Sequence, residues 1–185
     1  MRIFIFFIFF TSQVFAQKVN TKETDKYVDL INGFLKTNSL IKKQADSLSI
    51  YGGDLKAYYL KTKLVFIKSH HGGEFGYVDY TYYLSNDSLV FVNEKKVSLK
   101  EPITEKEYGE YERYVIFHTD KKGNVDYSKW PLGTDINNDY YFKNNSVISF
   151  QLRNFNKPVK TSENEIIEAA KTLVSRYKVH LEELK

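Results

Sequence analysis

Apolar residues keep a helical spacing at both ends of this chain and alternate with polar ones in the middle. From Asn20 to Leu35, the residues Tyr27, Ile31, Phe34 and Leu35 recur at offsets of four, seven and eight, the single stripe of an amphipathic helix. Thr37, Asn38 and Ser39 interrupt it. Asn38 or Ser39 can cap a second short helix in which Leu40, Ile41, Ala45 and Leu48 share a face, ended by Gly52 and Gly53. At the far end, Ser162 and Glu165 have the spacing of a capping box. A stripe of Ile166, Ala170, Leu173, Tyr177, Leu181 and Leu184 follows them.

Between these ends the period falls to two. Val78, Tyr80, Tyr82 and Leu84 lie on one side of an extended segment, with Asp79 and Thr81 on the other. Ile148, Phe150 and Leu152 likewise oppose Ser149, Gln151 and Arg153. Further strands are expected at about 61–69, 88–97, 111–119 and 139–143, where Tyr, Phe, Val and Ile concentrate. Residues 82–92 and 140–150 align without a gap, setting Asn86-Asp87 against Asn144-Asn145. Asn and Asp tolerate the positive φ angles of two-residue hairpin turns, so both segments read as tight β-hairpins. These patterns predict an α+β fold: an antiparallel β-meander of about five to six strands, with the N-terminal and C-terminal helices packed on one face.

The first residues change where such a fold is expected to reside. Arg2 precedes an unbroken apolar run from Ile3 to Phe10, and Ala16 offers a small residue to cut after. The run is about half the roughly 20 residues that span a bilayer, so residues 1–16 read as a signal peptide rather than a retained anchor. Residues 17–185 then form a single α+β domain, periplasmic or secreted, with no stable membrane span once the signal is removed. The chain has no cysteine, which removes disulfides, thiol catalysis, thiolate metal ligation and lipid attachment through cysteine. The net charge is +4, lysines alternate with acids, and arginine is scarce, a balance that argues against nucleic acid as a partner.

Candidate chemistry is sparse. His70, His71 and Glu74 lie close in sequence and form the one candidate metal set. Neighbours in an extended segment point to opposite faces, however, and Gly72-Gly73 reads as a strand connection. Asp135, Asn137 and Asp139 have the opening spacing of an EF-hand-type calcium loop, but Tyr140 stands where the loop needs glycine and Ser146 where it needs glutamate. No nucleophile elbow, phosphate-binding glycine loop or zinc-protease helix is present, and no cofactor motif.

Two features point to binding. Residues 126–139 read as a long connection carrying the single tryptophan, Trp130, either as a binding residue or folded back as a core plug. Alternation also sends Tyr77 and Tyr83 to the face away from the helices, beside Asp79 and Thr81. The expectation is a non-enzymatic module that binds another protein or an envelope component, of the immunity or inhibitor type, through Trp130, Tyr77, Tyr83 and Asp135. The alternatives are a metal- or carboxylate-dependent hydrolase and a carrier of a small apolar ligand.

Overall fold

The computed structural model describes residues 21–46, 52–73, 75–121, 125–126, 129–152 and 162–184. The expected signal peptide lies outside them. The elements run α1 (Lys22–Lys36), β1 (Ile41–Asp46), β2 (Gly53–Leu60), β3 (Lys63–Gly73), β4 (Gly76–Ser85) and β5 (Ser88–Leu99). After these come α2 (Glu105–His118), β6 (Leu132–Lys143), β7 (Ser146–Gln151) and α3 (Glu163–Glu183). All strands belong to one antiparallel sheet whose spatial order equals their order in the chain. The sheet has seven strands, not five to six. No helix of the described residues is long and apolar enough to cross a membrane.

Both asparagine hairpins form as expected. Asn86 and Asp87 have φ of 50° and 60°, and Asn144 and Asn145 have 52° and 59°, so both central residues of each turn are left-handed. Gly76 opens β4 for a different reason. At its φ of 143°, a Cβ would stand 2.1 Å from the Val97 carbonyl oxygen, which leaves room only for glycine.

Three expected elements differ. Residues 41–46 form β1 rather than a helix, pairing with β2 from Ile41 opposite Tyr59 to Asp46 opposite Asp54. Leu40 packs in one core cluster and Ala45 in another, so the supposed helical stripe is divided between the two sides of the sheet. Strand β2, with Leu55 and Ala57 buried, lies in a stretch where no strand was expected. Residues 111–118 lie in α2, not in a strand. Thr104 and Glu107 close a capping box ahead of it, and Tyr111, Tyr114 and His118 share one helical face.

The two terminal helices also pack on opposite faces, not on the same one. Ile166, Ala170, Leu173 and Tyr177 of α3 bury against Leu55, Ile67, Tyr82, Leu89, Val92 and Phe142. Helix α1 packs Ile31 against Val65, Phe66, Tyr83 and Phe91 on the reverse side. A second apolar seat exists there because five aromatic residues stand in one cross-strand row. Tyr58 is opposite Phe66, Phe66 opposite Tyr83, Tyr83 opposite Phe91, and Phe91 opposite Tyr141. Their rings meet edge to face, with centroids 4.9 to 5.5 Å apart. Each such contact contributes about 1 kcal/mol beyond its buried area.

Tyrosine hydroxyls then tie α1 to this row. Tyr83 donates to Asn32 Oδ1 at 2.8 Å and Tyr141 to Asp25 Oδ1 at 2.9 Å, while Tyr27 of the helix donates to the Leu84 carbonyl. Tyr83→Ala is expected to cost about 3–5 kcal/mol in urea unfolding, because two ring contacts and a buried volume vanish together. Tyr83→Phe keeps the rings and is expected to cost about 1 kcal/mol for the lost bond to Asn32.

Candidate binding surface

Helix α1 covers only the hairpin-turn half of its face, because the aromatic row lies there. Toward the other end the same face continues as three polar rows read from the strand register. Lys56, Lys68, Thr81, Asn93 and Asp139 form the first, and Asp54, His70, Asp79, Lys95 and Asn137 the second. Tyr77, Val97 and Asp135 form the third, beside Gly72. No helix among the described residues places a buried residue over these rows: α1 buries Ile31 in the aromatic seat, α2 buries none, and α3 packs on the reverse face.

The rows are wired by cross-strand pairs. His70 Nδ1 lies 2.6 Å from Asp79 Oδ1, with the side chains 41 % and 23 % exposed, so the pair is reachable from solvent. The Tyr77 ring lies 5.4 Å from His70, and the Lys95 ammonium lies 5.8 Å from the Tyr77 centroid. Hydrogen bonding to Tyr77, supported by Asp135 and Asp79, holds the Lys95 pKa above its ordinary value. Asp54 and Lys56 form an ion pair, and Asn93 donates to Asp139 Oδ1 at 2.8 Å. The Asx spacing at residues 135–139 is therefore not the start of a calcium loop. It belongs to β6, where alternation aligns Asp135, Asn137 and Asp139 in one column on this face.

Among the expected site residues, this surface brings together Tyr77, His70 and Asp135. It excludes Tyr83, which is 6 % exposed beneath α1 and is a structural residue rather than a docking one. Trp130 is elsewhere: its indole N–H donates to the Lys100 carbonyl at 3.0 Å, and its ring meets Tyr111 and Tyr114 of α2 at 5.3 and 5.1 Å. It thus folds back to seat α2, and the connection around it is shorter than expected because β6 begins at Leu132. Asp79 stands beside Tyr77 as alternation placed it, and Lys95 and Asn93 complete the surface without having been singled out. The alternation of β5 was their only signal, and it required the strand register to be read.

His71 points to the other face, as strict alternation requires, and stacks on His180 of α3 with centroids 5.4 Å apart. His70 and His71 therefore serve different environments, and Glu74 lies outside the described residues. No group of three or more His, Asp or Glu among the described residues is arranged to hold a metal ion. His180 also meets Tyr82 edge to face at 5.6 Å. Ser69 Oγ, His71 Nε2, Tyr82 Oη and His180 Nδ1 are all buried without a hydrogen-bond partner among the described residues, and three of these side chains, His71, Tyr82 and His180, meet ring to ring. Arg176 lies over the Tyr80 ring at 4.9 Å, close enough to repel a proton from both histidines.

No known protein family, curated protein or solved structure matches the chain at a significant level.

The histidine cluster sets a pH dependence. Burial, then His71 and Arg176, depress the His180 pKa to about 4, and His71 is lowered by its own burial, by Arg176 and by His70 against the opposing Asp79. The unfolded chain takes up these protons near pH 6.5 and the folded chain only further down, so stability is lost as pH falls across that window. For His180 the loss is roughly 3 kcal/mol at most. Glu94, raised chiefly by burial, acts in the opposite sense. Urea unfolding at pH 7 and pH 4.5 is expected to show a smaller loss of stability in His180→Leu than in the wild type.

Proposed function

We propose that the protein is an exported, non-enzymatic binding module that engages another protein of the cell envelope through the half of the α1 face that no helix of the described residues covers. The observation that carries this reading is the cluster of Tyr77, the His70–Asp79 pair, Lys95 and Asp135 on a rigid, partly exposed stretch of sheet. Four strands hold these side chains in fixed register, so little ordering entropy is left to be lost on docking. Tyrosine contributes broad contact area with few rotatable bonds.

The charge pattern favours a folded protein as the occupant. Lys56, Lys68 and Lys95 stand among Asp54, Asp79 and Asp135, a mosaic that matches another mixed-charge surface and opposes a polyanion. An immunity or inhibitor protein fits these features: it needs a fixed docking face and no catalytic group. Its export rests on the apolar segment from Ile3 to Phe10 followed by Ala16.

Capture of envelope proteins by immobilised wild type is expected to return one near-stoichiometric partner. Tyr77→Ala and Lys95→Glu are each expected to weaken its retention by at least about tenfold, the loss typical of a central interface residue. Lys178→Glu, on exposed α3, serves as the control and is expected to leave retention unchanged. A partner indifferent to both open-face substitutions, or no partner at all, would falsify this reading.

A further inference from the structure

The two edges of the sheet differ in chemistry. β1 carries the exposed Lys42 and Lys43, charges of the kind that deter pairing with a foreign strand. β7 runs Ser146-Val147-Ile148-Ser149-Phe150 with no charge and no proline, and among the strands of the described residues it pairs with β6 alone. Such an edge is a template for a further strand.

Helix α3 leaves two apolar clefts directly beside this edge. One, of about 110 Å³, lies between Val147, Ile148, Phe150, Ile166 and Ile167, with Glu163 on its wall. The other, of about 260 Å³, lies between Val147, Ile167 and Ala170, with Lys171 on its wall. Phe150 and Ile167 remain 42 % and 36 % exposed. An added strand would therefore gain apolar contacts as well as backbone hydrogen bonds.

We propose that the occupant is a second copy of this chain, with the two β7 strands paired antiparallel about a twofold axis. An antiparallel edge is self-complementary under that symmetry, and an axis perpendicular to the sheet keeps both α3 helices on the same side of the joined sheets. The charges beside the edge fit the same operation. Glu163 lines the cleft at the Phe150 end of β7 and Lys171 the cleft at the Ser146 end. Antiparallel pairing sets the Ser146 end of one copy beside the Phe150 end of the other, so Lys171 approaches Glu163 of the second copy, and the axis generates this pair twice. The exposed Phe150 and Ile167 are then covered by their own copies. This surface is separate from the one proposed to bind an envelope protein, and either can fail without the other.

Analytical ultracentrifugation of the protein purified as the cell produces it tests the assignment. The wild type is expected to sediment as a concentration-dependent dimer, and Phe150→Lys to raise its dissociation constant at least about tenfold. Glu163→Lys and Lys171→Glu are each expected to weaken the dimer, and the double reversal to restore it to within about threefold of wild type. Both reversed residues are exposed on α3, so this arm does not depend on Phe150→Lys folding. A wild type that stays monomeric at every concentration overturns the proposal and leaves the edge to a foreign strand. A dimer that ignores both Phe150→Lys and the single charge reversals overturns it equally.

Discussion

The row of five aromatic rings from Tyr58 to Tyr141 is the constraint on which the rest of the architecture depends. It fixes strand register across β2 to β6, because a slip of one residue would carry a ring to the opposite face and break two contacts at once. It also gives α1 a seat on the face opposite α3. Since the row crosses the sheet at its hairpin-turn end, the seat stops there. The polar rows beyond it, with Tyr77 and the His70–Asp79 pair, are left without a helix among the described residues as a consequence of where the aromatics lie.

The two helices are held by different means. Around α1, the hydroxyls of Tyr27, Tyr83 and Tyr141 all find acceptors, so the aromatic seat is also a satisfied polar one. Beneath α3 the apolar stripe from Ile166 to Tyr177 is well buried, and Leu181 and Leu184 extend it along the helix. The hold there is by apolar and ring contacts rather than by hydroxyl bonds: His180, itself buried, meets His71 and Tyr82.

What the sequence disclosed follows the reach of each signal. The stripes of α1 and α3, the left-handed Asn86-Asp87 and Asn144-Asn145 turns, and the divergence of His70 from His71 depend on neighbours within a few positions. All were legible. Helix α2 was hidden by its tyrosines and β-branched residues, which have strand propensity, although Thr104 and Glu107 repeat the capping chemistry of Ser162 and Glu165. Tyr77 and Tyr83 show a subtler limit. Both stand on the α1 face, but parity says nothing of which stretch of that face a distant helix will cover, and only Tyr77 escapes. Trp130 was singled out for its rarity, and its role was decided by Tyr111 and Tyr114, on a helix that had been read as a strand.

The identity of chain order and strand order bears on how the molecule assembles. Each strand from β2 to β5 finds its neighbour in the strand just before it, so the sheet can grow from the N-terminal side without waiting for distant partners. Such local connectivity is associated with fast folding. Three packings reach across the chain: α1 against β3 to β6, the joining of β6 after the excursion through α2, and the return of α3 across the opposite face. Because α3 follows every strand in the chain, a sheet formed before α3 docks would hold Tyr82, Leu89 and Val92 in register with their apolar face bare.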